Sequence, residues 1–192
     1  MNYCTLGEIK EELGVESSEH DNILQAMIGQ VKEIIDNYCN RSFDTVEETR
    51  YFDGAGSMLF IDDLLPTDDI TISLDLDGDG EYEVTMDDSD YVLCPLNKTP
   101  KTWIATRSRG TYSSFAKGIR AGVEIEGTWG YDATVPESIR RAAIMITSRL
   151  WKRKATAYAS VVASTELGPF EVFRGLDADI VMILSPYRKM NI

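Results

Sequence analysis

The stretch best equipped for chemistry is Asp75-x-Asp77-Gly78-Asp79-Gly80. Carboxylates at alternate positions followed by a glycine are the spacing that opens a calcium-binding EF-hand loop, where acidic groups converge on one ion and the glycine makes the sharp bend. The match is partial. The twelfth position, which should supply a bidentate Glu, is Met86, and the flanking segments alternate like strands rather than helices. Asp-Gly pairs between alternating runs are also a strong hairpin signal. The stretch is therefore read first as a hairpin, with an ordered calcium site as the alternative; the chain's alternative function is accordingly a small calcium-dependent or protein-binding β-module without catalytic activity.

The other reactive groups do not assemble into a catalytic set. His20, the single histidine, sits in a polar segment ahead of a helix, and no Cys/His spacing fits a zinc site. Ser57, in Gly54-Ala55-Gly56-Ser57-Met58, lacks the closing glycine of a nucleophile elbow, and the same turn lacks the Lys-Ser/Thr of a phosphate loop. Asp62-Asp63, Asp68-Asp69 and Asp87-Asp88 have the composition of metal ligands or an acid/base pair, but such pairs are read as solvated loop residues. No enzymatic activity, cofactor or metal is expected.

Phosphate contact is the remaining chemistry to weigh. Residues 107–120 are rich in Ser, Gly and basic residues with Tyr112 and Phe115 interleaved, and Arg149 to Lys154 form a second basic cluster. Against these stands a net charge of −13, unlike that of a dedicated nucleic-acid binder. The charge is uneven: residues 1–100 carry 5 basic against 24 acidic residues, net −19, and residues 101–192 carry 14 against 8, net +6. That polarity suits contact between the front of one copy and the back of another, with the basic loop meeting a neighbour's acidic half. An acidic surface kept for solubility explains the charge equally well.

The elements that position these groups follow from periodicity. At 192 residues and 43% hydrophobic content the chain can bury a real core. Thr5-x-x-Glu8 is a capping box, and Leu6, Ile9 and Leu13 follow at helical spacing until Gly14. Ile23, Met27, Val31, Ile34, Ile35 and Tyr38 mark one face of a second helix ending near Asn40-Arg41. A third and longer helix begins at Val135-Pro136-Glu137 and runs toward Tyr158; Ile139, Ala142, Ala143, Ile146 and Leu150 form its apolar stripe, and Arg140, Arg141, Arg149, Lys152 and Arg153 fall largely outside it. Ala155 to Pro169 reads as a linker, Glu171 to Phe173 as a short strand, and Asp177 to Leu184 as a short terminal helix stopped by Pro186.

Between the second and third helices the periodicity switches to two. Arg50 to Phe52 and Met58 to Ile61, separated by Asp53-Gly54-Ala55-Gly56, predict a hairpin. Ile70 to Leu76, Gly80 to Thr85, Tyr91 to Leu93, Trp103 to Ala105 and Val123 to Trp129 predict further strands, with 107–120 a long mobile loop. The expected fold is α+β: a helical body from residues 1–46 and 132–192, carrying an inserted antiparallel β-module at 47–131. Cys4, Cys39 and Cys94 are an odd, widely spaced set without a Cys-x-x-Cys pair, which predicts free thiols and a reducing compartment. The start carries no secretory pattern and no apolar run is long enough to cross a bilayer, so no membrane association is expected.

Several short stretches together resemble the head-tail connector (adaptor, or head-completion) proteins of tailed bacteriophages. They are Asn37-Tyr38-Cys39-x-Arg41-Ser42-Phe43 at a helix end, Tyr51-Phe52-Asp53-Gly54, Trp129-Gly130-Tyr131 leading to Val135-Pro136, and the terminal Leu184-x-Pro186-Tyr187-Arg188. The resemblance implies a structural virion protein at the head-tail interface, assembled in the cytoplasm of the bacterial host. It implies a ring of about twelve copies, monomeric before assembly in some members, seated beneath the portal and receiving the downstream tail or stopper protein. Genome DNA would pass through the channel without sequence-specific binding. The C-terminal segment would dock on the portal through Ile180, Ile183, Leu184, Pro186, Tyr187 and Arg188.

Overall fold

The computed structural model describes residues 2–67, 69–154, 161–164, 168–171 and 175–189, with the segments between 161 and 171 described by their backbone alone. Among the described residues, four α-helices and an antiparallel sheet make the protein α+β, the class expected from periodicity. The chain divides into two compact units, Met1–Arg41 with Val135–Ile192, and Ser42–Thr134. Among the described residues no helix is long and apolar enough to cross a membrane.

The helical unit is built from α1 (Leu6–Leu13), α2 (Asp21–Cys39), α3 (Glu137–Lys154) and α4 (Ala178–Leu184). Helix α1 starts at the capping box: the Thr5 hydroxyl accepts from the Glu8 amide at 3.3 Å and the Glu8 carboxylate accepts from the Thr5 amide at 2.7 Å. Gly14, at φ +66°, ends it. Helix α2 turns Leu24, Met27, Ile28, Val31, Ile35 and Cys39 inward, so its buried stripe is rotated from the expected one, and Ile23 is 39% exposed. The Pro136 carbonyl accepts from the amides of Ile139 (2.9 Å) and Arg140 (3.0 Å), which closes the first turn of α3. Helix α3 then buries Ile139, Ala142, Ala143 and Ile146 against α1, α2 and α4. Each fully buried Ile or Leu here contributes roughly 1.5–3 kcal/mol.

The cations beside that stripe meet acids of the same unit. Arg140 pairs with Glu8, Arg141 with Glu12 at 2.7 Å, and Arg149 with Asp177 and Asp179 at 2.6 and 2.8 Å. The helical unit as a whole carries 12 basic against 13 acidic residues, net −1, while Ser42–Thr134 carries 7 against 19, net −12. Three of the six cations of α3 are thus paired with acids of α1 and the α4 segment, and the helical unit as a whole is close to neutral.

The region read as a linker contains a two-stranded antiparallel pair, β8 (Val161–Ser164) with β9 (Gly168–Glu171). The strand expected at Glu171 to Phe173 therefore starts earlier; Val172 and Phe173, like the helix extension toward Tyr158, lie outside the described residues. Helix α4 begins one residue later than expected, after Asp177, and Pro186 sits in a single 3-10 turn, Ser185–Tyr187.

The β unit comprises β1 (Val46–Phe52), β2 (Met58–Leu64), β3 (Thr71–Leu74), β4 (Val84–Thr85), β5 (Tyr91–Cys94), β6 (Lys101–Thr106) and β7 (Val123–Trp129). The sheet order is β4-β3-β7-β2-β6-β5, all antiparallel, and β1 pairs with β7 along its whole length from Val46↔Trp129 to Phe52↔Val123. Strand β7 is the hub. Val123, Ile125 and Trp129 alternate inward to a core with Leu59, Ile72 and Ile104. The Trp129 indole N–H donates to the Glu48 carbonyl at 2.9 Å, and the Arg50 guanidinium lies 4.5 Å from the Trp129 ring.

One expectation for this unit is corrected. The turn Asp53 to Gly56 does not join a β1–β2 hairpin, because β1 pairs with β7 instead. Its amides serve another purpose: Gly54 N–H donates to the Ile119 carbonyl at 2.6 Å and Ala55 N–H to the Phe115 carbonyl at 2.7 Å. Within residues 107–120, Phe115 is fully buried and Ala116 is 4% exposed. Asp90, 2% exposed, accepts from the Thr111 amide at 2.6 Å and holds the near end of the same loop. A buried aromatic and a buried carboxylate outweigh the loop-like composition.

Two outcomes follow from these contacts. A Cβ at Gly54 would stand 1.7 Å from the Ala116 carbonyl oxygen, a backbone atom that cannot swing away, so Gly54→Ala is expected to lower stability by about 1–3 kcal/mol, read by urea denaturation. The pH dependence comes from the helical unit. The Thr5 amide and then the Arg140 guanidinium hold Glu8 below its ordinary 4.5, Arg141 does the same for Glu12, and Arg149 holds Asp179 below 3.8. Depressed carboxylates stabilise above their unfolded pKa and lose that contribution as pH falls through the folded one. The melting temperature should therefore fall as pH drops below the ordinary carboxylate range, and the double variant Arg140→Ala, Arg141→Ala should flatten that fall.

Candidate functional site

The acidic loop 75–83 joins β3 to β4, which pair as Ser73↔Thr85 and Leu74↔Val84, so the hairpin expected from the Asp-Gly pairs is present. Its centre is Asp75, 3% exposed. One carboxylate oxygen accepts from the amides of Asp77 (3.2 Å) and Gly78 (2.6 Å), and the other from Gly80 (3.0 Å). Gly78 and Gly80, at φ +86° and +91°, make the curl that turns those amides inward. Carboxylate oxygens of Asp75, Asp77, Asp79 and Glu83 lie within 4.8 Å of one another. Glu83 escapes a sequence search because the EF-hand template looks for its closing acid at Met86; a template of alternate residues running on from Asp79 would have reached it. The three amide hydrogen bonds to Asp75 hold the loop in shape through the protein's own donors.

The remaining acidic pairs separate on folding. Asp62 is exposed and pairs with Arg50 at 3.1 Å, while its neighbour Asp63 is 6% exposed, contrary to the expectation of a solvated pair. Asp88 accepts from the Tyr91 hydroxyl at 3.0 Å, and Asp68 lies outside the described residues. Two of the four loop cations are engaged: Arg107 Nε donates to the Tyr91 carbonyl at 2.9 Å and Arg120 pairs with Asp53 at 2.7 Å. His20 packs its ring 5.2 Å from that of Trp151. All three cysteines are free and buried, and desolvation pushes the Cys4 and Cys39 thiols up to about 11, which leaves them protonated and poor nucleophiles.

The C-terminal segment presents a mixed face. Ile180 (1% exposed) and Leu184 (fully buried) belong to the core of the helical unit, where α4 packs on α2 and α3. Ile183 is half-buried. The Lys189 amide donates to the Cys39 carbonyl at 2.8 Å and the Arg188 guanidinium lies 5.9 Å from the Tyr38 ring, so the chain end is laid along the end of α2. Pro186 and Arg188 are exposed, Tyr187 is half-buried, and Met182 is 72% exposed. Beside α4 a cavity of about 640 Å³ is lined by Ile34, Ile146, Leu150, Leu176 and Ile180, with Arg149 and Asp177 at its polar part. Of the six residues expected to dock, four therefore remain wholly or partly at the surface.

The N-terminal helices, their junction at Arg41 to Phe43, and the first two strands carry the comparison with known proteins. Residues 3–73 match the family model described as phage gp6-like head-tail connector protein. The matched part contains Asn37 to Phe43 and Tyr51 to Gly54, two of the stretches on which the sequence resemblance rests; Trp129 to Pro136 and Leu184 to Arg188 lie beyond it. Likeness of fold to a solved structure extends further than the family match. A chain of the solved structure described as "Neck of empty GTA particle computed with C6 symmetry" is similar over 97% of this chain and 90% of its own length, with a TM-score of 0.57 at 11% identity. No curated protein matches.

The acidic loop gives a direct test. Asp75→Ala removes three hydrogen-bonded acceptor contacts from a buried position and is expected to cost about 1–3 kcal/mol in denaturant unfolding. Wild-type melting should not move when calcium is added; a calcium-dependent rise that disappears in Asp77→Ala would instead establish an ion site in this loop.

Proposed function

We propose that the protein is a structural head-tail connector of a tailed phage: a ring subunit that sits beneath the portal, completes the DNA-filled head and receives the downstream tail or head-closure protein. The observation that carries this reading is the connector match over residues 3–73. The neck-like fold over 97% of the chain supports it for the remainder. A neck computed with C6 symmetry is compatible with the expected ring of about twelve copies, and the location that follows is the head-tail interface of a virion assembled in the bacterial cytoplasm.

The physical chemistry of the two units fits that task. A near-neutral helical unit can pack closely with like copies, whereas two β units of net −12 cannot be brought face to face without neutralisation. Repeated around a ring, an acidic surface repels phosphates, which suits a channel that passes DNA without holding it. The C-terminal segment is the proposed portal contact. Since Ile180 and Leu184 are committed to the core, the docking side chains are Met182, Ile183, Pro186, Tyr187 and Arg188. A cut before Asp177 would destroy the helical unit as well as the contact, so point variants past α4 are the cleaner probe.

Electron microscopy of the purified chain mixed with the portal protein of the same phage should show rings of the chain on the portal; a chain that never joins the portal would refute the connector reading. The double variant Tyr187→Ala, Arg188→Ala should weaken portal binding at least about tenfold, roughly 1.4 kcal/mol, while its melting temperature stays near wild type. Wild-type affinity in that variant would move the docking site away from the C-terminal segment.

A further inference from the structure

The sheet of the β unit has an outer surface of two characters. Around β7 it is polar: Glu124, Glu126 and Thr128 stand in register with Tyr51, Thr49 and Glu47 of β1, and Glu124 and Glu126 with Ser73 and Thr71 of β3. That is the alternation of an antiparallel sheet with one wet face. The β2–β6–β5 part breaks the rule. Leu59, Ile104 and Leu93 are in register and face the core. The alternate positions, which should be polar, form two apolar rows: Phe60, Trp103 and Cys94, and Met58, Ala105 and Val92. Phe60 is 57% exposed and Met58 45%, Trp103, Ala105 and Val92 are half-buried, and Cys94 at the end of its row is buried. No charged side chain lies in either row, and the next acid along β2, Asp62, is neutralised by Arg50 at 3.1 Å.

A sheet that is apolar on both faces is built to be covered. Two features of the patch decide by what. Its two well-exposed large side chains amount to an apolar area on the order of a few hundred Å², whereas a stable pair of proteins buries about 800 Å² per partner. The patch is too small to hold two free copies together, but it is sufficient where a template already gathers them. Charge settles the geometry: patch against patch would bring two units of net −12 face to face, so the favoured contact is with an unlike surface of the neighbour, the arrangement that closes rings rather than dimers.

We infer that the Met58, Phe60 and Trp103 face is the lateral contact by which one copy of this chain seats against the next copy in the ring. The inference rests on the connector reading and gives it a specific surface. Phe60, exposed and outside the core, can be changed without loss of fold.

The test uses the full chain with a photoreactive benzoylphenylalanine at position 60, together with Phe60→Ser and Met58→Ser, each checked for wild-type melting. In portal-bound rings, position 60 should cross-link to a second copy of the chain, and Phe60→Ser should load the portal with incomplete rings, complete ones falling about tenfold or more. Cross-linking to the portal or to the downstream protein, no cross-link at all, or complete rings from both serine variants would overturn the lateral contact while leaving the connector reading intact. If wild type forms no ring on the portal, irradiating the position-60 variant alone at the highest soluble concentration, which traps transient encounters, separates the two ideas. Cross-linked pairs of the chain that Met58→Ser diminishes support the contact although the connector reading has failed; no cross-linked pair refutes the contact too.

Discussion

Burial of one face of α3 is the constraint on which the helical unit depends. Ala142 and Ala143, at 0% and 1% exposure, leave room for neighbouring backbones to come close, and Ile139 and Ile146 fill the space around them. Helices of eight and seven residues such as α1 and α4 have no independent stability in water. Both acquire it on α3, through apolar contact first and then through arginines that reach over the edge of the stripe to Glu8, Glu12, Asp177 and Asp179. The exposed pairs among them are individually weak. Their common effect is to settle which short helix lies along which side of the long one, and to offset part of the positive charge that the sequence of α3 carries.

The β unit repeats the logic with a strand in place of a helix. Strand β7 is paired along one edge by β1 and along the other by β3 and by the end of β2, so the core side chains Val123, Ile125 and Trp129 sit where three strands converge. Around that hub the unit keeps almost the whole net negative charge of the protein. The two units are thus held by similar apolar means and differ sharply in the field they present to a partner.

Local chemistry was legible in the sequence and long-range pairing was not. The α1 capping box, the Gly14 stop, the α3 start at Pro136 and the Asp75 to Gly80 turn each depend on residues within a few positions of one another, and each formed as read. The partner of β1 depends on β7, more than seventy positions away in sequence, and composition at Asp53 to Gly56 offered a nearer but incorrect turn. The contacts of loop 107–120 were hidden for a similar reason: Phe115 and Asp90 look like ordinary loop residues until their burial is known. At the candidate sites the residue types were visible, but their allocation was not. Nothing in the spacing of Ile180, Ile183 and Leu184 says that two of them face inward to their own core, and an EF-hand template passes over Glu83.

The place of β7 in the chain has a consequence for synthesis. It is the last strand of its unit to be made, yet β1, β3 and one end of β2 all take hydrogen bonds from it. Until Trp129 has left the ribosome, those earlier strands have unsatisfied edges and no shared core, and pairing across such long separations is intrinsically slow. A nascent chain therefore passes through a period in which exposed strand edges and an apolar β2–β6 surface are available to other copies emerging nearby. The high density of acid in the same segment, with 16 carboxylates between residues 42 and 90, gives each unfinished chain a strong negative charge at that stage. Mutual repulsion then keeps the chains apart until β7 arrives to close the sheet.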